Sequence, residues 1–227
     1  MTGPFAIDGT SAGDLISIEI LEIDGAPEMG FGYMNTTATL HPDFDPETTI
    51  CRRLGDQVEI PTKRGPILVP YRPFVGSMGL APAGDPVLSF SQSAEVMGNV
   101  DVPDLGPGAQ AVIRANVDGG LLSLGDAHLA QGDAEIHRSA IETQADVTLR
   151  VTNLGPDGTT YADLPQINTP AFIGSVAPGP GHLEDLVRLA YDDLALRLSN
   201  GYGLTLPEAY RLLGAVGTVR IGQVVPP

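Results

Sequence analysis

Residues 15–23 read Leu-Ile-Ser-Ile-Glu-Ile-Leu-Glu-Ile and are entered through a turn at Ala12-Gly13-Asp14. Apolar side chains dominate one face of this segment, and Ser17, Glu19 and Glu22 break the other. That alternation marks a half-buried strand, because successive side chains of an extended chain point to opposite sides. The same signature returns at residues 145–151 (ADVTLRV), with shorter strand-like pieces at 111–117 and 120–124. Between Val58 and Tyr71, apolar fragments alternate with Pro61, Pro66 and Pro70. Proline cannot donate to a ladder, so this region predicts edge strands and loops. Residues 24–37 are dense in glycine and read as loop, whereas 72–110 is too rich in glycine and proline for helix and too specific in pattern for a simple linker. No helical period shows up to about residue 152, so the body is mainly β, a sandwich or barrel-like structure.

The pattern changes near residue 178. Leu183, Leu186, Leu189, Ala190, Leu194 and Leu198 recur at three- and four-residue steps, which predicts a helix over 182–198 ended by Asn200-Gly201. A second helix is expected from Thr205 as N-cap, with Pro207 and Glu208 in its first turn, to about Gly214. Residues 218–225 (TVRIGQVV) read as a closing strand. The expected organisation is a β-rich body over 1–177 that carries the site. Residues 178–227 form a C-terminal α/β segment of two helices and a closing strand, packed on that body.

Length and charge bound the function. The 227 residues suffice for a real core in one large domain or two small ones. Twelve basic against 28 acidic residues give a net charge of −16. Such a balance argues against binding a phosphate backbone or an anionic lipid surface, so neither nucleic acid nor membrane is an expected partner. No run approaches the ~18 apolar residues of a membrane span, and a soluble cytoplasmic protein is expected. Cys51 is the single cysteine, which removes disulfides and cysteine-based zinc frameworks.

Ligand-capable side chains are densest in Gly125-Asp126-Ala127-His128-Leu129-Ala130-Gln131-Gly132-Asp133-Ala134-Glu135. On an extended chain Asp126 and His128 share a face, as do Asp133 and Glu135, and Gln131-Gly132 can turn one pair toward the other. Carboxylates with an imidazole bind a divalent cation or set an acid and a base against water, while an aspartate-rich surface turn would have the same spacing. Gly98-Asn99-Val100-Asp101 is a second candidate, Asn99 offering donors to an oxyanion and Asp101 a ligand or base. The alternative there is an ordinary asparagine–glycine turn. A third segment, Pro73-Phe74-Val75-Gly76-Ser77-Met78-Gly79, suits close backbone packing around a pocket or a tight loop. Ser77 is not in a nucleophile elbow. His41, His137 and His182 read as surface residues, and no Walker loop, dinucleotide fingerprint or H-E-x-x-H motif is present.

In this order, these segments resemble the acetamidase/formamidase family of amide hydrolases. Thr2-Gly3-Pro4 with Ile7, Asp8, Gly9, Ala12, Gly13 and Asp14 is similar to that family's TGPI-x-V-x-G-A-x-x-GD opening. Residues 73–82 resemble its PF-x-G-x-MG-x-AP loop. Asn99, Asp101 and Asp104-Leu105 match GGN-M-D-x-x-DL, and residues 125–135 followed by Ala140-Ile141-Glu142 match GDGHAAQGDGE and AIE. Glu208-Ala209-Tyr210 and the segment from Arg220 to Val225 also fit. The chain departs from the family at Val96-Met97-Gly98, where histidine-glycine-glycine is usual, and at Ala127 and Ala134, which replace glycines. It also lacks the family's usual N-terminal part.

The resemblance implies hydrolysis of a small linear amide, formamide- or acetamide-like, to carboxylate and ammonia. It implies Glu135 or Asp133 as the proton-shuttling carboxylate and Asn99 with the Gly98 amide as oxyanion donors. Gly98, Gln131 and Phe74 would bind substrate. Asp101, Asp126 and His128 would anchor a divalent metal, zinc or calcium. Expected partners are the amide substrate, a separate chain supplying the missing N-terminal strands of a split enzyme, and further copies in an oligomer, because uncovered strand edges are rarely left bare. Two other readings are a non-catalytic binding or regulatory subunit that keeps the amidase fold, and a hydrolase of cyclic amides.

Overall fold

The 15–23 segment is a strand, and it lies inside a sheet with a partner on each side. The computed structural model describes residues 1–24, 28–34, 44–157 and 163–224. Among these, the first strands are β1 (Thr2–Phe5), β2 (Leu15–Asp24), β3 (Met29–Met34), β4 (Glu47–Leu54), β5 (Gln57–Ile60), β6 (Ile67–Pro70) and β7 (Phe74–Gly79). They are followed by β8 (Gln92–Ser93), β9 (Met97–Asn99), β10 (Gln110–Arg114), β11 (Leu122–His128) and β12 (Glu142–Thr143). The chain ends with β13 (Asp146–Asn153), β14 (Gln166–Asn168), β15 (Ile173–Ser175) and the helices α1 (Leu183–Tyr202) and α2 (Leu206–Val216). No described helix is long and apolar enough to cross a membrane.

Two sheets form the body. The larger runs β6-β5-β4-β3-β12-β11-β7-β9-β8, with β1 also paired to β11, and the smaller runs β13-β2-β10-β14-β15. Ile16, Ile18 and Ile20 of β2 meet Met78 of β7 and Leu122 and Leu124 of β11 in one core between the sheets. Each buried aliphatic side chain there contributes about 1.5–3 kcal/mol of burial free energy. Ser17, the polar break in β2, is buried as well and accepts a hydrogen bond from Gln110 Nε2 at 2.7 Å. The proline-rich 58–71 region supplies β5 and β6 at one edge of the larger sheet, as its composition predicts.

Two glycine-rich stretches, one read as loop and one left between pocket packing and a tight loop, contain strands. Gly30 lies in β3, where a Cβ would come within 2.7 Å of the Glu142 carbonyl oxygen. Phe74–Gly79 is the buried strand β7 between β11 and β9, and a Cβ on Gly79 would meet the Val96 carbonyl at 2.5 Å. Glycine here permits close strand approach instead of a turn.

The C-terminal helices hold with shifted ends. Helix α1 continues through Asn200 and Gly201 and stops at Gly203, which takes the left-handed conformation at φ 70° and donates its N–H to Ser199 O at 3.1 Å. Two polar side chains buried on α1 tie it to the smaller sheet. Asp193 accepts from the N–H groups of Asp163 and Leu164, and Arg197 donates to Gly174 O and Asn168 Oδ1. Thr205 opens α2, with the Glu208 carboxylate accepting from its N–H at 2.8 Å and its hydroxyl at 2.6 Å. The expected closing strand over 218–225 is not formed among its described residues. Residues 218–224 instead bracket one residue: Ala134 N–H donates to Ile221 O, and Val224 N–H donates to Ala134 O. Ala134 sits at φ 75°, and the loop curls away on both sides, so no ladder can propagate. Val225 lies outside the described residues, as does His41.

Candidate active site

The face of β11 that carries Leu122 and Leu124 into the core carries Asp126 and His128 beyond it. The site is thus the polar continuation of the core face, reached where the apolar residues stop. His128 is fully buried, with its Nε2 3.0 Å from Glu142 Oε2 and 3.5 Å from Asp126 Oδ1. Neither ring nitrogen is aligned for a hydrogen bond. Phe74, opposite His128 on β7, stands edge-on to the imidazole with ring centroids 4.7 Å apart. It buttresses the ring and is itself fully buried.

Asp101 enters from the loop after β9. Its Oδ2 accepts from Asn99 Nδ2 at 2.7 Å and from Gln223 Nε2 at 2.8 Å, and its main-chain carbonyl accepts from Gln131 Nε2 at 2.8 Å. Three donors therefore fix the residue while its buried Oδ1 is left without a partner. That oxygen is aimed at Gly76, where an added Cβ would lie 2.3 Å from it, 2.7 Å from Asp126 Oδ2 and 2.9 Å from His128 Cε1. Gly76 is the floor over which the three side chains converge, and its carbonyl accepts from the N–H groups of Val100 and Asp101. Glu135 is buried and completes the cluster from the loop after β11. Asp101, Asp126 and Glu135 all adopt positive φ, at 44°, 64° and 43°. Such backbone is costly for residues with a Cβ, about 1–3 kcal/mol each, and it concentrates at functional sites.

The electrostatics follow from burial. Desolvation drives Asp101 up to about 9, with repulsion from Glu135 adding to it. Desolvation also raises Glu135 to about 7. For His128 burial opposes the charge, but contacts with Asp126 and Glu142 outweigh it and hold the ring's pKa at about 10. Burial pushes Asp126 upward too, and its contacts with His128 prevail and lower it.

Asp101 Oδ1 is a buried acceptor that no N–H or O–H reaches, and it converges with the Asp126 carboxylate and the His128 imidazole, which fits a cation between them. Ligand atoms of Asp101, Asp126 and His128 lie within 4.8 Å of one another, as do those of His128, Glu135 and Glu142. A mixed carboxylate and imidazole set suits a divalent ion such as zinc.

The structure brings together Asp101, Asp126, His128 and Glu135 of the expected site residues, with Gln131 and Asn99 behind them. Asp133 it sends elsewhere. The positive φ of Ala134 and Glu135 breaks the two-residue alternation, so Asp133 faces outward and pairs with Arg220 at 2.6 Å, beside Asp104 at 2.5 Å. Asn99 donates one amide N–H to Asp101 and accepts the Ser77 hydroxyl at its Oδ1, so it positions an acid. Gly98 is threaded between β7 and β8, facing Ser91 and Gln92. Val96 lies against Leu80, whose N–H donates to its carbonyl, four residues along from Gly76 or roughly 13 Å by strand rise. An imidazole at 96 is therefore not needed to complete this cluster. His137 and His182 stand apart from it. Residue spacing alone does not reveal Glu142, Gly76 and Gln223. Glu142 carried a signal, the Ala140-Ile141-Glu142 match, but only strand pairing shows that it lies opposite His128.

Fold and site define a β-sandwich protein with a carboxylate–imidazole centre. The Acetamidase/Formamidase family model matches residues 90–184. The crystal structure of an acetamidase from Bacillus halodurans superposes with TM-score 0.88 at 29% identity, over 98% of this chain and 73% of that one. An acetamidase from Yersinia enterocolitica gives TM-score 0.85 at 30% identity, over 99% of this chain and 69% of that one. No curated protein sequence matches the chain. The chain belongs to the acetamidase/formamidase family.

Proposed function

We propose that the protein hydrolyses the C–N bond of a small primary amide to a carboxylate and ammonia at the Asp101–Asp126–His128–Glu135–Glu142 cluster. The observation that carries this reading is the convergence of Asp101 Oδ1, Asp126 and His128 over Gly76, with Asp101 Oδ1 buried and unpartnered. Family membership and the acetamidase structures support the reaction class.

Amide hydrolysis needs a water made nucleophilic, a stabilised oxyanion and a proton for the departing nitrogen. Asp101, Asp126 and His128 would hold a divalent cation, with Glu142 at the other edge of the imidazole. When bound, such a cation polarises the carbonyl oxygen and acidifies water. Asn99 and Gln223 hold Asp101 so that one carboxylate oxygen faces the cavity. Glu135, buried at the cluster's edge, takes the proton of the attacking water and returns it to the leaving nitrogen.

Glu135→Gln keeps the shape and removes the proton carrier. Ammonia release from acetamide should fall by at least about 10²-fold, with metal content and thermal unfolding close to wild type. Near wild-type ammonia release by a folded, metal-loaded Glu135→Gln variant would refute the assignment.

A further inference from the structure

The register of the larger sheet sets the cluster in a row. His128 lies opposite Phe74 on β7 and opposite Glu142 on β12. Glu142 lies opposite Phe31 on β3, and Phe31 opposite Ile50 on β4. Directly opposed residues of antiparallel strands share a face. The row thus runs from a buried ring, through an imidazole and a carboxylate, to two apolar side chains that face solvent: Phe31 is 45% and Ile50 49% exposed. Met29, on the same face two residues before Phe31, is 55% exposed.

These apolar residues and Glu142, with Thr143 and Gln144, line an open groove of about 460 Å³ on the sheet face. Glu142 belongs to both places. His128, Asp101 and Glu135 are buried, whereas the Glu142 and Asp126 side chains retain 20% and 34% of their exposure, so they form the rim of the cluster. A molecule seated on Phe31 therefore meets the cluster next, through Glu142. The chemistry fixes which part of an amide lies where. A reaction that releases ammonia leaves the nitrogen bare, so any apolar arm of the substrate is on the acyl side.

We propose that Met29, Phe31 and Ile50 form an acyl-chain subsite, and that the preferred substrates are primary amides with an extended apolar acyl group. Adjacent strands lie about 4.8 Å apart, which places Phe31 and Ile50 roughly 5 and 10 Å from Glu142, the span of about four to eight chain carbons. This proposal rests on the amide-hydrolase reading above and deepens it.

The test measures kcat/KM for acetamide, butyramide and hexanamide with the metal-loaded protein and with Phe31→Ser. Partial burial of each methylene should raise kcat/KM by about two- to fourfold in the wild type, and the hexanamide-to-acetamide ratio should fall about tenfold or more in Phe31→Ser. Should that variant fail to fold, Ile50→Thr replaces it with the same expectation. A flat series, or a ratio unchanged by the substitution, overturns the subsite. So does an unchanged ratio together with loss of a dimer in light scattering, which would make this face a contact between copies. If no amide releases ammonia, the reaction reading fails, and calorimetric binding of hexanoate against acetate decides the subsite by itself. Tighter hexanoate binding that Phe31→Ser abolishes sustains it, and equal binding overturns it.

Discussion

Gly76→Ala tests whether the cluster is built on a bare backbone. The Gly76 backbone is not in the left-handed region, so alanine meets no torsional objection and the effect is one of space. The new methyl carbon would stand 2.3 Å from Asp101 Oδ1 and 2.7 Å from Asp126 Oδ2. A carbon–oxygen contact closes at about 3.2 Å, so Asp101 Oδ1 must withdraw by roughly 0.9 Å and Asp126 by roughly 0.5 Å. Asp101 cannot simply swing aside, because Asn99, Gln223 and Gln131 hold it from the other side. Metal–ligand distances tolerate only about ±0.2 Å, so both carboxylates leave useful range and cation affinity should weaken by at least about 10–100-fold. Overpacking adds a stability loss of about 1–3 kcal/mol. Calorimetric titration of chelator-stripped protein with zinc, and urea unfolding of the same sample, read the two effects separately. Gly214→Ala is the control, since open space surrounds that helical glycine and alanine there should be neutral or stabilising. If Gly76→Ala binds zinc within about twofold of wild type at unchanged stability, the convergence over Gly76 is not what organises the site.

Two further outcomes follow from local backbone and charge. Ala134 is held at φ 75° by its bonds to Ile221 and Val224, a conformation that costs a residue with a Cβ about 1–2 kcal/mol. Glycine relieves this but adds about 0.4–1 kcal/mol of unfolded-state entropy, so Ala134→Gly should stabilise by up to about 1 kcal/mol in urea unfolding; a clear loss would contradict the strain. Asp14 is lowered by the hydrogen bond from the Ser11 N–H, at 2.9 Å, and then by that from Asn153 Nδ2, at 2.8 Å. A depressed folded-state pKa gives stability that is present above the ordinary carboxylate range and lost as pH falls through the folded value. The stability gap between wild type and Asp14→Asn should therefore be wider at pH 7 than at pH 3, and an equal gap at both would disprove the linkage.

The strand order of the body could not be read from the chain, but its strands partly could. Alternation exposed β2 and β13 because each keeps a polar side, and the proline spacing exposed the edge position of β5 and β6. It failed at β7, whose Gly76 and Gly79 look like loop residues and are there because neighbouring strands and side chains come too close for a Cβ. The helices were legible from their leucine stripe and the Thr205–Glu208 box, while the end of α1 moved because Gly203, not Gly201, takes the left-handed turn. In the site, residues 125–135 and the segment 98–101 announced their chemistry through residue type, and the resemblance joined Asp101 to Asp126 and His128 in one centre. The partition between Asp133 and Glu135 was hidden, since a two-residue period assumes extended backbone and Ala134 and Glu135 both have positive φ. Glu142 and Gln223 were hidden for a different reason: they reach His128 and Asp101 through pairings far apart in the chain.

These two kinds of hidden information have one physical origin. A left-handed carboxylate residue is unfavourable alone and persists only where other contacts over-determine it. For Asp101 those contacts are Asn99, Gln131 and Gln223, and for the Glu135 loop they are the two main-chain bonds from Ala134 to residues 221 and 224, reinforced by Arg220 on Asp133. Gln223 and Arg220 come from the C-terminal segment, whose described residues 218–224 form no strand yet close on the loops after β9 and β11. The segment's apolar residues suggested a ladder, but its polar side chains carry its role. A site whose acids sit in strained backbone has to be clamped from outside its own motif, and residues 220–224 are that clamp.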